Sequence, residues 1–234
     1  MNNPLIQTHF FKMKAIQLIK YGSSKDSFEI NEIPIPNLIN MEDVLIKVHA
    51  FGINFADVMA RKGLYRASPA LPAVLGYEVV GIVEKTKDPK NNHLVGKRVL
   101  ALTRFGGYAQ YAVTTAQGLI EIPKSVKNGT ALALATQYCT ALIAVQKTDL
   151  EKNDLVLIHS ASGGVGTALT QLLKQKGCKI IGLTRSESKI TYLKRNGVDF
   201  PIDTTKKDYK LQVQEIFPNQ KIKGIFNSVG GKTF

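Results

Sequence analysis

The sequence SASGGVG at positions 160–166 decides the fold of the second half of the chain. It follows Leu155–His159, a short apolar run with the composition of a buried strand. It leads into five apolar residues at helical spacing, the first of which lies within the stretch itself, and these predict an amphipathic helix: Val165, Ala168, Leu169, Leu172 and Leu173. A strand, a glycine turn and a helix in this order predict one βα unit.

Similar patterns fill the rest of the second half. Asn128–Lys147 has a helical pattern, and apolar runs predict further strands at Lys179–Thr184, Phe200–Asp203 and Ile222–Val229. A second helical stripe precedes the last strand: Tyr209, Val213, Ile216 and Phe217. Alternating strands and helices predict a doubly wound parallel sheet of the Rossmann type. Two more strands, at roughly 30 residues for each unit, would complete six, so we expect a sheet truncated after its fourth strand.

The first half is predicted to consist mainly of short strands. Apolar and polar residues alternate along Val44–Ala50, as in a half-buried strand. Further short runs at Val79–Glu84, Arg98–Thr103 and Tyr108–Val113 are separated by clusters of Gly, Pro and Asn. The spacing predicts a compact, partly closed β domain.

Composition excludes several classes of protein. With 44% hydrophobic and 21% charged residues, the 234-residue chain can bury a core. Cys139 and Cys178 are too few for a disulfide framework or a cysteine-rich zinc lobe, and we expect both thiols to be buried and unreactive. No apolar run reaches the ~18–20 residues of a membrane span, and Met1–Lys12 lacks the features of a secretory signal. We expect a cytoplasmic protein.

The charge is strongly positive, at +13 from 31 basic and 18 acidic residues. It is spread over both halves without a block of five like charges. This distribution favours a solvated basic surface over a nucleic-acid partner, and attraction of anionic cofactors stays open as a third reading.

The glycine turn has the pattern of a dinucleotide site. Glycines let the backbone approach a pyrophosphate, and the helix N-terminus offers free N–H donors. The pattern assigns this role to Ser162, Gly163, Gly164, Val165 and Gly166. An ordinary strand–helix turn is the alternative for the glycines alone.

The residues after the second strand indicate which dinucleotide is bound. Proteins that bind NAD usually have Asp or Glu at this position. This chain instead has two hydroxyl side chains and two cations: Thr184, Arg185, Ser186 and Lys189. Such groups can neutralise a 2′-phosphate, so we expect NADP. Alternatively, Ser186 caps the next helix and the cations are solvated, and both readings can hold together.

From Met13 to Phe234 the chain resembles the zinc-free quinone oxidoreductases of the medium-chain dehydrogenase/reductase superfamily. The resemblance rests on the stretches NFADVMARKGLY at 54–65, LGYEVVG at 75–81, the glycine turn and FNSVGGKTF at 226–234. Positions 54–65 and Gly197–Asp203 look most like the vesicle amine transport protein branch.

The chain departs from the zinc alcohol dehydrogenases at the metal positions. Asn54 stands where those enzymes place a catalytic cysteine, and Tyr77 where they have a histidine. The four histidines are widely separated in sequence, and we expect them to be surface or packing residues: His9, His49, His93 and His159. We therefore expect no metal site.

The resemblance implies NADPH-dependent reduction of quinones or α,β-unsaturated carbonyl compounds. It implies that Asn54 and Tyr65 face the substrate, that Asp57 orients its neighbours, and that Thr140 meets the nicotinamide carboxamide. Asn227, where relatives often have Asp, would make the crevice beside the first Rossmann strand less acidic. The alternatives are a helix cap for Asp57, a loop tyrosine for Tyr65 and packing for Thr140.

The resemblance also implies a division of the chain. Residues 1–12 would be an N-terminal extension, 13–134 a GroES-like substrate domain and 135–234 a Rossmann NADP-binding domain. Full-length relatives are homodimers, but we do not expect this truncated chain to form the same dimer reliably. Two alternatives stay open: a non-catalytic nucleotide-binding protein that acts through membrane or RNA contacts, and a truncated, impaired family member.

Overall fold

The computed structural model describes residues 11–230 and divides the chain into two compact units. The first ends at Thr136 and is called the β unit; the second begins at Gln137 and is called the α/β unit. Most of the predicted N-terminal extension, and the end of the stretch at 226–234, lie outside the described residues.

Within residues 11–136, the β unit contains two antiparallel sheets, two short α-helices and two short 3-10 helices. Its strands and α-helices are β1 (Lys12–Leu18), β2 (Phe28–Pro34), β3 (Asp43–Phe51), α1 (Phe55–Arg61), β4 (Ala73–Val74), β5 (Glu78–Thr86), β6 (Arg98–Leu102), β7 (Tyr111–Thr115), β8 (Leu119–Glu121) and α2 (Asn128–Ala133). One sheet has the order β2-β1-β4 and the other β7-β3-β5-β6-β8. The predicted β-rich domain is confirmed.

The two central strands of the larger sheet carry its core. Val44 and Ile46 on β3 and Val79 and Val83 on β5 are fully buried in one apolar cluster. The predicted strand at Tyr108–Val113 is wrong at its start, because β7 begins only at Tyr111.

The first residues of that predicted strand pair elsewhere. The Tyr108 N–H donates to the Leu75 carbonyl, and the Tyr108 carbonyl accepts from Ile16. These bonds hold the segment beside β1 and Leu75, outside β7.

The predicted helix Asn128–Lys147 is confirmed with an interruption. A π-helical turn at Leu134–Tyr138 separates α2 from α3 (Cys139–Gln146). A π turn contains an extra residue and changes which side chains face the core. Cys139, predicted to be buried, is exposed, so that prediction was wrong; Cys178 is buried as expected.

The described part of the α/β unit, residues 137–230, contains one parallel sheet with helices. After α3 its elements are β9 (Leu155–Ile158), α4 (Gly164–Gln175), β10 (Lys179–Thr184), α5 (Ile190–Arg195), β11 (Phe200–Asp203), α6 (Tyr209–Ile216) and β12 (Gly224–Phe226). The strand order is β11-β10-β9-β12, with every pair parallel. This is the 3-2-1-4 part of a Rossmann sheet.

The helical stripes are confirmed for α4 and only partly for α6. On α4, Ala168, Leu169 and Leu173 are buried in the cluster that includes β9 and β10 residues. On α6, Val213 packs against the other sheet face, but Ile216 is 47% exposed, so its predicted place in the stripe was wrong.

The fourth strand is shorter than predicted. β12 ends at Phe226 because the Asn227 side-chain Oδ1 accepts from the N–H groups of Val229 and Gly230, at 2.9 and 3.0 Å. An Asn that binds the backbone two and three residues on forms a turn. This turn follows the carboxyl end of β12.

Candidate functional site

The glycine turn joins β9 directly to α4. Ser160 has a φ of 51°, and the Ala161 N–H donates to the Leu183 carbonyl at 3.0 Å, which ties the turn to β10. Gly163 is the N-cap residue, and the first intrahelical bond runs from Thr167 N–H to its carbonyl at 2.8 Å. The N–H groups of residues 164–166 therefore have no acceptor within the helix and point out of its N-terminus.

A glycine is required at one position of this turn. A Cβ on Gly166 would lie 2.4 Å from the Ser160 carbonyl oxygen and 2.6 Å from the Ala161 Cα, which are both backbone atoms. At Gly164 a Cβ would meet only the flexible side chain of Gln137. The third glycine of the fingerprint thus serves the close approach of helix and turn.

A cavity of about 580 Å³ lies beside the turn within the α/β unit. It brings together five of the predicted cofactor residues: Ser162, Thr184, Arg185, Ser186 and Lys189. The rest of its lining is mixed: His159, Ser160, Leu183, Thr204, Tyr209 and Val229. The predicted convergence of the glycine turn and the end of β10 is thus present in the fold.

The cavity wall is cationic. Arg185 and Lys189 line it, and among the described residues no carboxylate does. The neighbouring Glu187 is paired with Lys206, whereas Arg185 and Lys189 have no ion-pair partner within residues 11–230. Ser186 is the N-cap residue of a short 3-10 helix, Glu187–Lys189, but its side chain makes no capping bond; its hydroxyl lies 2.8 Å from that of Ser188. An anion in this cavity would meet two available cations.

His159 forms one wall of the cavity and is a packing residue, as the sequence indicated. It is 6% exposed, and its ring meets that of Tyr209 edge to face at 5.5 Å. Burial lowers the pKa of its imidazole. Both rings also line a second, more apolar cavity of about 650 Å³, which contains Asn227.

Gly163, Gly164, Val165 and Gly166 continue the turn from Ser162 but do not line the first cavity, and neither do Thr140 and Asn227. Asn227 lines the second cavity and holds the turn after β12. Thr140 is exposed on α3, so packing in an apolar core does not account for it.

In the β unit, Asn54 is held between two buried carboxylates. It is the N-cap residue of α1, and its backbone N–H donates to Asp57 Oδ2 at 2.8 Å. Its side-chain Nδ2 donates to both oxygens of Glu78, at 2.8 and 3.0 Å. Thr136 donates its hydroxyl to Glu78 Oε2 as well. The helix-cap reading of Asp57 is present in this geometry.

Burial and mutual repulsion set the acidity of this cluster. Burial raises the pKa of Glu78, and the Asp57 charge raises it further, against the bonds from Thr136 and Asn54. Burial and the nearby Asp57 carboxylate also raise the pKa of Tyr108. Neither the Tyr108 hydroxyl nor Asp57 Oδ1 makes a hydrogen bond of normal geometry within residues 11–230. The cluster thus contains polar groups that are only partly satisfied.

Tyr65 belongs to an aromatic group in the same unit. Its ring meets Tyr77 edge to face at 6.2 Å, and Tyr77 meets Phe105 at 5.3 Å. Burial and the hydrogen bond to Tyr65 raise the pKa of Tyr77. Tyr65 is partly buried and takes part in this aromatic cluster.

Comparison with known proteins gives the family. Residues 40–124 match the profile "Alcohol dehydrogenase GroES-like domain", and residues 164–234 match "Zinc-binding dehydrogenase". The chain belongs to the medium-chain dehydrogenase/reductase superfamily. The GroES-like β domain and the Rossmann-type sheet of the prediction are confirmed.

Three proteins illustrate its place in the superfamily. The Danio rerio "Synaptic vesicle membrane protein VAT-1 homolog" is 33% identical over 89% of this chain and 43% of that protein. The quinone oxidoreductase of Coxiella burnetii is 30% identical, with a TM-score of 0.85 over 94% of this chain and 70% of the other. The Escherichia coli quinone oxidoreductase, solved in complex with NADPH, is 27% identical, with a TM-score of 0.87 over 94% and 67%. The chain spans about half the length of the curated relatives that it matches.

The described part of this chain contains no alternative set of zinc ligands. Within residues 11–230, no group of three His, Cys, Asp or Glu side chains could hold a metal ion. Asn54 is bonded to Glu78, and Tyr77 is packed among aromatic rings. These residues do not fit a zinc ion, which needs about four N, S or O ligands. Of the helices in that range, none is both long and apolar enough to span a membrane.

Sequence reasoning assigned no role to Glu78, Thr136 or Tyr108. A signal for Glu78 was present, because it is a charged residue directly before the apolar run of β5. Thr136 and Tyr108 carry no comparable signal, since only the folded chain brings them to this cluster.

Proposed function

We propose that this chain is an oxidoreductase that uses NADPH to reduce quinones or α,β-unsaturated carbonyl compounds without zinc. The observation that carries the proposal is the cavity that joins Ser160 and Ser162, in the glycine turn before α4, to two cations and contains no carboxylate among the described residues. The similarity to quinone oxidoreductases, one of them solved with NADPH, supports the same conclusion.

In this proposal the cavity binds the phosphates of the cofactor. The pyrophosphate rests on the turn from Ser162 to Gly166, where free backbone N–H groups and the helix dipole favour negative charge. The 2′-phosphate is bound by the groups that follow β10: Thr184, Arg185, Ser186 and Lys189. We assign Thr140 and Asn227 to the remainder of the cofactor.

The β unit would supply the groups that act on the substrate. When bound, NADPH supplies the hydride. Asn54 and Tyr65 donate hydrogen bonds to the carbonyl oxygen on which negative charge develops, which is the electrostatic part of such a reaction. Asp57 holds the Asn54 backbone in place. No step of this scheme requires a metal ion.

The proposal gives each part of the chain a role. Residues 13–134 bind a small quinone or enone, and residues 135–234 bind NADP. The cellular location is proposed to be the cytoplasm. The partners are small molecules; nucleic acid is not among them.

Binding and turnover are tested separately. Calorimetry should show heat with NADPH and at least about ten-fold weaker binding of NADH, because only NADPH has the 2′-phosphate. NADPH consumption, followed by absorbance, should occur with members of a panel of quinones and enones. Equal affinity for both cofactors would contradict the choice of NADP. Cofactor binding without turnover, together with salt-sensitive binding of RNA or anionic vesicles, would favour the binding-protein alternative.

A further inference from the structure

Glu78 is a buried carboxylate with three hydrogen bonds and, within residues 11–230, no cation beside it. It is 2% exposed at the start of β5, next to the fully buried Val79 and Val80. Its two oxygens accept from Asn54 Nδ2, and Oε2 also accepts from Thr136. A buried charge is costly unless it is paired and hydrogen-bonded. Packing alone therefore does not explain why a carboxylate is buried at position 78.

The backbone around Glu78 is shaped to admit its carboxylate. A Cβ on Gly52 would lie 1.8 Å from Glu78 Oε1, so any other residue there would displace the group. The Gly52 N–H also donates to the Glu78 backbone carbonyl at 3.1 Å. The carboxylate thus occupies a specific place beside the segment that leads into Asn54.

The chemistry of a carboxylate fixes which end of the Asn54 amide faces it. An ionised carboxylate only accepts hydrogen bonds, so it selects the amide nitrogen and turns the amide oxygen away. Both Glu78 oxygens lie on one side of Nδ2, at 2.8 and 3.0 Å, and one N–H pointing between them serves both. Within residues 11–230 the second N–H of Asn54 has no acceptor.

We propose that Glu78 is a positioning residue for Asn54. Its carboxylate accepts a hydrogen bond from one amide proton of the Asn54 side chain, so that the second amide proton points towards a substrate carbonyl oxygen. This inference rests on the proposed function for the identity of the substrate. The orientation of the amide itself does not depend on it.

If Glu78 were protonated, it would no longer fix the orientation of the Asn54 amide. A protonated carboxyl has a donor O–H on one oxygen and no longer selects the nitrogen end of the amide. The titratable groups that face Glu78 are Asp57, from α1, and Tyr108, from the segment before β7. The Asp57 charge favours the protonated form, whereas the bonds from Asn54 and Thr136 favour the ionised form.

The orientation is tested without turnover by NMR of the folded chain labelled with ¹⁵N at asparagine. The Asn54→Ala spectrum identifies the side-chain amide signals of Asn54. These signals should shift with pH in step with the ¹³C signal of the Glu78 carboxyl group. Glu78→Gln should abolish this titration. Asn54 signals that are independent of the Glu78 titration would overturn the inference.

Kinetics test the consequence for the reaction. Asn54→Ala should lower kcat by roughly 10²–10³-fold, the loss typical of one deleted oxyanion donor. Glu78→Gln should lower kcat by about ten-fold and leave the KM for NADPH unchanged, since it misaligns the donor without removing it. In the Asn54→Ala background, Glu78→Gln should change kcat by less than about two-fold. Additive effects of the two changes would overturn the positioning role.

A matched control separates positioning from support of the fold. Asp43 is another buried carboxylate of the β unit, and its Oδ2 accepts from the N–H groups of Ile39 and Asn40. Asp43→Asn should lower stability without lowering kcat. An Asn54 amide that titrates with Glu78 in a chain that reduces no carbonyl compound would support the positioning and contradict the proposed function.

Discussion

Gly166 lies so close to Ser160 that a Cβ on the glycine would stand 2.4 Å from the serine carbonyl oxygen. The contact joins the first turn of α4 to the start of the glycine turn after β9 through backbone atoms alone. It fixes the direction in which the free N–H groups of the helix point, because neither partner can move aside as a side chain could. The geometry of the proposed phosphate site therefore depends on the absence of one methyl group.

Gly166→Ala should impair both stability and cofactor binding. The added methyl group forces a backbone shift, which costs typically about 1–3 kcal/mol of unfolding free energy. The shift should also weaken NADPH binding, measured by calorimetry on folded protein. Gly129→Ala is the matched control, since nothing lies within 4 Å of its Cβ position in α2. That variant should be neutral or slightly stabilised; similar losses in both variants would argue against the contact.

Arg185→Ala and Lys189→Ala should each weaken NADPH binding by about ten-fold. Each removes a cation from the cavity wall, and a hydrogen bond to a charged group is worth roughly 1.5–3 kcal/mol before exposure reduces it. NADH binding should change by less than about two-fold, since NADH lacks the 2′-phosphate. Lys194→Ala, which removes an equal charge from α5 outside the cavity lining, should leave both affinities unchanged. An equal loss of affinity for NADH would mean that these cations contact a part of the cofactor other than the 2′-phosphate.

The sequence predicted the α/β unit well because its signals are local. β10 and β11 have the predicted bounds, since buried parallel strands are short continuous apolar runs. The glycine turn and the residues after β10 were predicted to serve one ligand, and the fold brings them to one cavity. This follows from the parallel sheet, in which the carboxyl ends of neighbouring strands lie at one edge.

Features that depend on distant parts of the chain were not predictable in the same way. Thr136 lies 58 residues from Glu78 in sequence, and no periodic pattern links them. The end of β12 was misplaced because the Asn227 side chain forms a turn within an otherwise apolar run. The exposure of Cys139 follows an interruption of the helix that the sequence pattern did not indicate.

The two cysteines should differ sharply in reactivity. Cys139 is exposed, whereas Cys178 is buried and its thiol pKa is raised by that burial, so little reactive thiolate forms there. An aromatic disulfide reagent should titrate one thiol in the folded chain and two after denaturation. Cys139→Ser should remove the fast phase, and Cys178→Ser should leave it intact. Two fast thiols in the folded wild-type chain would contradict this arrangement.

His159 should make the stability of the α/β unit depend on pH. Burial lowers the pKa of its imidazole in the folded state, so below the unfolded pKa near 6.5 the unfolded chain binds more protons. The stabilising contribution is fully present above that pH and is lost as the pH falls towards the lower folded pKa. The slope cannot exceed about 1.4 kcal/mol per pH unit for one proton.

Urea unfolding followed by circular dichroism between pH 7.5 and 5 measures this slope. His159→Gln should be less stable at pH 7.5, because its packing against Tyr209 is lost, but its stability should fall less steeply with acid. His93→Gln changes an exposed histidine and should keep the wild-type slope. If His159→Gln and the wild type lose stability in parallel on acidification, another group is responsible.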